Sequence, residues 1–223
     1  PKLGVSRDDL MRLTVDAVDF AKETRDAWSA RVPSIVINGV VGPAGDAYAP
    51  GHKMDATEAF RAHHPQIKLL CEQGVDMISA LTMSNTPKAV GIARACEAHH
   101  MPVVISYTVE TDGRLPSGQP LREAIEQTDA ETGAAPLYYM INCAHPDHFT
   151  DVLSGDAAWI NRVGGVRSNA SRLSHAELDA AEVLDDGNPE EFGDLHAALA
   201  ARLPNLRVFG GCCGLLGGRC YSL

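Results

Sequence analysis

Basic residues are scarce in this chain. Lysine and arginine number 19 against 29 aspartates and glutamates in 223 residues, a formal net charge of −10 at pH 7, and no block of basic residues occurs anywhere. Nucleic acid and anionic membrane are therefore not expected partners. No apolar run approaches the roughly 18 to 20 residues of a membrane span, and the first residues lack the basic-then-apolar order of a signal peptide, so a cytoplasmic protein is expected. Six cysteines are too sparse for a disulfide scaffold, and two of them, Cys212 and Cys213, are adjacent, which suits thiolate chemistry better than stapling. No Gly-Lys-Ser/Thr follows the glycines of Gly39 to Gly45, and no dinucleotide fingerprint is present, which argues against nucleotide binding. Aromatic residues are only 5% of the chain, yet 45% of it is hydrophobic, enough for a sizeable core. Low-complexity stretches and interdomain linkers are also missing, so residues 1–223 read as one α/β domain.

What the chain does contain is an alternation. Short apolar runs rich in Val and Ile read as buried strands: Val32 to Val41, Val75 to Thr82, Pro102 to Val109, Leu137 to Cys143, Gly165 to Ala170 and Leu206 to Gly211. Amphipathic stretches lie around and between them. Asp8 to Arg31 follows Ser6, a fitting N-cap, and sets Leu10, Leu13, Ala17 and Phe20 at helical steps. Asp55 to Gln73 repeats the pattern and is followed by Gly74, where a helix C-terminus favours glycine. Thr86 to His99, Pro120 to Thr132, Pro146 to Ser154 and Ser174 to Arg202 continue the series, the last broken near Gly187, Asn188 and Pro189.

Strands that are apolar throughout, alternating with helices, predict a parallel sheet covered on both faces. A barrel and a doubly wound sheet both qualify. The polar residues favour the barrel, because Asn38-Gly39, Thr82, Ser106-Tyr107, Asn142-Cys143, Asn169 and Cys212-Cys213 all fall at strand C-termini, where a barrel gathers its site.

Two of those strand ends carry metal-ligand chemistry. Cys143 closes one strand and Cys212 and Cys213 close another, and three thiolates form a zinc site with one position open for water or substrate. A lone buried cysteine is more often a small hydrophobe. Gly210, Gly211 and Gly214, however, allow a close backbone approach around the pair that packing alone seldom demands. On chemistry alone, a metal site and a structural role both stand.

Asn142-Cys143 and Gly-Gly-Cys-Cys-Gly at residues 210–214 resemble the homocysteine S-methyltransferase family. So do the loop Asn38-Gly39-Val40-Val41-Gly42-Pro43, the segment Tyr48 to Leu70, and Gly74-Val75-Asp76 followed by Thr82-Met83. The resemblance implies a (β/α)8 TIM-type barrel. It also implies zinc held by Cys143, Cys212 and Cys213, with the thiol of homocysteine or a related compound taking a methyl group. By the same resemblance Asn169, Thr82 and Asn38 lie near the substrate, while Asn142 and His145 support the metal ligands. The partners expected are a small-molecule thiol and a methyl donor, and the sequence leaves room for a homo-oligomer.

Three departures qualify this expectation. The family carries a glutamate directly before the threonine of its fourth strand, where this chain has Leu81. The family's first two strands have no counterpart before the first strand here, and Leu215 to Leu223 replaces the family's last helix with Leu-Leu-Gly-Gly-Arg-Cys-Tyr-Ser-Leu. The barrel is therefore expected to be incomplete at both ends. A non-catalytic zinc-binding relative that has lost amino-acid binding is the alternative function. Among other candidates, His63-His64 and His99-His100 read as surface residues, and Glu110 with Asp112 reads as part of a turn.

Overall fold

The computed structural model describes residue 4 and residues 6–45, 47–48, 54–155 and 157–214. The tail Leu215 to Leu223, expected to be aberrant, lies outside the described residues. Six strands form one parallel sheet: β1 Asn38–Val41, β2 Met77–Met83, β3 Val103–Tyr107, β4 Pro136–Asn142, β5 Val163–Ser168 and β6 Val208–Gly211. They lie side by side in chain order, β1-β2-β3-β4-β5-β6. A doubly wound sheet reverses its order at a switch point. This sheet does not, and its six strands make a half-barrel.

The helices are α1 Arg7–Trp28, α2 Ala56–Glu72, α3 Thr86–Glu97, α4 Leu121–Thr132, α5 His175–Ala180 and α6 Pro189–Arg202. Their starts follow local chemistry. Ser6 caps α1 by accepting from the Asp9 amide, and Asp55 with Glu58 forms a reciprocal capping box on α2. Asn188 accepts from the amides of Glu190 and Glu191 as Pro189 opens α6. Gly187 separates α5 from α6 at φ +58°, and a Cβ there would collide with the Ala170 carbonyl. The break therefore falls where the sequence places it, and it presses this loop onto the end of β5.

Two expected elements come out differently. The first strand is only Asn38–Val41 instead of Val32 to Val41, because Pro33 has no amide to donate to a ladder and residues 32–34 and 36 stay exposed. The expected helix Pro146 to Ser154 is a single 3-10 turn, Pro146–His148, followed by further turns. Phe149, at φ −131°, leaves helical geometry there, and its side chain is fully buried.

The core lies between the strands and the helices. Ile78, Ala80, Val103, Ile105, Tyr107, Tyr139 and Ile141 point from the sheet toward Ile67, Leu70, Ile92, Leu121 and Ile125 on the helices. Alternation then sends Asn38, Ser79, Ser106 and Asn142 to the opposite, inner face. Asn38 Nδ2 donates to Ser79 Oγ at 2.8 Å and Ser106 Oγ to Asn142 Oδ1 at 2.6 Å across that face. Val40 on β1 is 50% exposed on the same side. No helix among the described residues is long and apolar enough to cross a membrane.

Candidate metal centre

Cysteines from two strand ends converge. The Cys143, Cys212 and Cys213 sulfurs all lie within 4.8 Å of one another, with Cys143 and Cys212 half-buried and Cys213 exposed, and no fourth His, Cys, Asp or Glu joins them among the described residues. Backbone pairing brings them together. The Cys143 amide donates to the Arg167 carbonyl and the Cys212 amide to the Ser168 carbonyl, which stitches the ends of β4 and β6 onto β5 between them.

Asn142 is the fixed point of this arrangement. Its side chain is buried, and each end of the amide has two partners. Oδ1 accepts from the Thr82 amide at 2.9 Å and from Ser106 Oγ at 2.6 Å. Nδ2 donates to Thr82 Oγ1 at 2.8 Å and to the Cys143 sulfur at 3.1 Å. These four contacts satisfy the amide completely, define which end is nitrogen, and bind β2, β3 and β4 at one level. Thr82 and Cys143 themselves sit at φ +61° and +56°, a region costly for side chains other than glycine and held only where surroundings enforce it.

The thiols are electrostatically coupled. Cys143 and Cys212 Sγ are 2.8 Å apart as free cysteines. The Cys212 hydrogen bond, aided by Asn142, Thr82 and Tyr48, pulls the Cys143 thiol down to about 6 against the opposing effect of burial. Cys212 moves up, because it keeps the proton it donates to Cys143 and is also desolvated. Burial raises Cys213 as well. The pair thus favours one thiolate and one thiol sharing a proton, a donor set that can release that proton to solvent on binding a cation.

Of the expected site residues, Thr82, Asn142 and the three cysteines come together in one cluster. Asn169 lies beside it: its Oδ1 accepts from the Cys213 amide at 3.1 Å, and the Ala170 amide donates to the Cys213 carbonyl. Contacts of Asn38 run to Ser79 on the neighbouring strand. His145 is buried, and its Nδ1 accepts from the Asp147 amide at 3.2 Å, so its ring caps the 3-10 turn. His63, expected at the surface, is buried on the inward side of α2, and His64 and His99 pair Nε2 to Nε2 at 3.1 Å across α2 and the end of α3.

Residues that sequence reasoning did not single out complete the surroundings. Tyr48 stacks on His175 with ring centroids 3.9 Å apart, and His175 Nε2 donates to the Cys143 carbonyl at 2.6 Å. Tyr48 falls within a segment the family resemblance covers. Nothing in the sequence distinguishes His175 from the other eight histidines.

A family model for homocysteine S-methyltransferase matches residues 2–216, and the chain belongs to that family. The Bacillus subtilis (strain 168) protein "Homocysteine S-methyltransferase YbgG" is 26% identical over 163 residues, a match covering 67% of this chain and 51% of that protein. The matched region thus spans about half the length of that curated relative. Crystal structures of the homocysteine methyltransferase MmuM from Escherichia coli share the fold. Its metallated form superposes with a TM-score of 0.71 at 20% identity, over 98% of this chain and 71% of that one. The apo form gives 0.70 at 19% identity, over 97% and 74%.

Proposed function

We propose that this chain forms the zinc-binding, thiol-activating part of a methyltransferase that moves a methyl group to the sulfur of homocysteine or a related thiol. The observation that carries this reading is the convergence of Cys143, Cys212 and Cys213 from two strand ends of a half-barrel. Sulfur ligands about 2.3 Å from a tetrahedral zinc lie roughly 3.8 Å apart; the three sulfurs lie within 4.8 Å of one another, and Cys143 and Cys212, 2.8 Å apart in the metal-free geometry, would move apart by about 1 Å to share that ion. What zinc supplies when bound is Lewis acidity, under which a coordinating thiol is deprotonated at neutral pH.

The chain's own residues do the rest. Cys143, Cys212 and Cys213 would hold the ion, which would supply Lewis acidity to the acceptor sulfur. Asn142 and Thr82 keep Cys143 turned inward, and Asn169 holds the Cys213 amide beside the place where the acceptor enters. Asn38 and Ser79 line the inner face further from the sulfurs. His145 keeps the chain after Cys143 in place by capping its turn. Leu81, half-buried next to Thr82, offers only apolar contact where an amino-acid thiol carries an ammonium group, so thiols lacking the amine compete with homocysteine. Methyl donors of the sulfonium or betaine class fit this chemistry equally.

The test combines metal analysis with an assay. Zinc is expected at one ion per chain, and is lost in Cys143→Ser and Cys212→Ser. Homocysteine and its des-amino analogue are then assayed against S-methylmethionine, S-adenosylmethionine and betaine. Unchanged zinc in both variants overturns the ligand assignment. Bound zinc with no turnover of any thiol supports the non-catalytic alternative.

A further inference from the structure

One histidine is tied to the cysteine cluster without contributing a ligand to it. His175, the first residue of α5, has a side chain only 12% exposed and makes three contacts at once. Its Nε2 donates to the backbone carbonyl of Cys143 at 2.6 Å. Its Nδ1 lies 3.2 Å from Oε2 of Glu110, and its ring lies against Tyr48, with centroids 3.9 Å apart and planes inclined by 29°. The Tyr48 hydroxyl in turn lies 3.1 Å from Thr108 Oγ1, two residues before Glu110. A carbonyl can only accept, so the hydrogen on Nε2 is fixed, and Glu110 engages the opposite nitrogen. The ring therefore has one orientation.

Cys143 is where such an anchor matters. Alone among the three cysteines it adopts positive φ, +56°, a conformation unfavourable for an L-residue that persists only when neighbouring groups over-determine it. Its amide is held by the Arg167 carbonyl and its sulfur by Asn142 and Cys212. Its carbonyl is held by His175.

We propose that His175 is a positioning residue for the thiol cluster: by anchoring the Cys143 carbonyl it keeps the Cys143 sulfur turned toward Cys212, while Glu110 orients its ring and Tyr48 stacks on that ring. The inference shares with the proposed function only the identity of the cluster, and it concerns the metal-free geometry of Cys143. Without the anchor, Cys143 relaxes toward a right-handed backbone, its sulfur swings away from Cys212, and Tyr48 loses its platform.

The test needs neither metal nor turnover, so a failure of methyl transfer leaves it intact. The full-length chain is reduced, freed of metal with a chelator, and treated with diamide, and the Cys143–Cys212 cross-link is followed by peptide mass spectrometry. His175→Phe keeps a ring under Tyr48 but removes the hydrogen bond to the Cys143 carbonyl and the contact with Glu110. It is expected to slow cross-linking about tenfold, the loss of one well-formed hydrogen bond. His175→Gln, which retains an N–H for the carbonyl, is expected to stay within roughly threefold of wild type. Glu110→Leu frees the ring while leaving the histidine, and is expected to fall between the two; it carries the test if His175→Phe does not fold. Cross-linking at the wild-type rate in folded His175→Phe overturns the proposal, as does His175→Gln being as slow as His175→Phe. Where His175→Phe does not fold, Glu110→Leu cross-linking at the wild-type rate overturns it.

Discussion

The sulfurs of Cys143 and Cys212, 69 positions apart in the chain, lie 2.8 Å from each other. One thiol donates to the other, and the contact divides their acidity, Cys143 down and Cys212 up. Cys212→Ala removes the largest of the effects that lower Cys143. In metal-free protein at pH 7, alkylation of Cys143 by iodoacetamide is therefore expected to slow by about tenfold, since the thiolate is the reactive form. An unchanged rate, located by peptide mapping, contradicts the assignment of that acidity to Cys212.

Asn142 supplies the second prediction. In Asn142→Asp an oxygen replaces the nitrogen that donates to Thr82 Oγ1 and to the Cys143 sulfur. A carboxylate beside a thiolate repels it, and two donor contacts vanish. We expect the Cys143 thiol to become less acidic and stability to fall by roughly 2–4 kcal/mol, measured by urea denaturation. Asn142→Asp matching wild type in both would show that the amide does not organise the site.

The third concerns pH. His145 is pulled down to about 4, mainly by burial. His196, bonded to Ser168 and the Phe192 carbonyl, is lowered by burial too. His63 is lowered by burial and by Lys88, and its Nε2 is buried without a hydrogen-bond partner. In the unfolded chain these imidazoles bind a proton near 6.5, whereas the folded chain binds it only at lower pH. Their contribution to stability is thus complete above pH 6.5 and is lost as pH falls from there toward 4. Urea midpoints are expected to drop between about pH 7.5 and about pH 5, and less steeply in His63→Leu. A midpoint that rises on acidification contradicts the sign.

Gly91 on α3 supplies the fourth. A Cβ there would lie 2.5 Å from the Ala56 carbonyl oxygen, 2.6 Å from Ala59 Cβ and 2.7 Å from the Phe60 amide nitrogen on α2. Alanine normally favours a helix over glycine by about 1 kcal/mol, but these neighbours are mostly backbone and cannot step aside. Gly91→Ala is expected to lower stability by a net 1–3 kcal/mol, roughly the cost of overpacking. A rise in the thermal midpoint would mean that α2 and α3 separate more easily than their packing implies.

The sequence by itself determined the half-barrel's order of elements, since apolar runs separated by amphipathic stretches admit few other solutions, and Ser6, Asp55 and Asn188 set helix starts through local caps. It also marked Cys143 and Cys212-Cys213 as chemically distinct, because their glycine frame and strand-end placement can be read along the chain. Tertiary structure decided the rest. Pro146 to Ser154 has helical spacing, but burial of Phe149 in the core outweighed the weak propensity of so short a helix. Glu110 sits in a turn, as its neighbours Asp112 and Gly113 indicate, yet its carboxylate reaches His175 across the mouth of the sheet. The positive φ of Thr82 and Cys143, the saturated amide of Asn142 and the stacking of Tyr48 on His175 all depend on residues far apart in the chain meeting at one level. Local propensity carries no information about such meetings, because each contact exists only after the strands have paired.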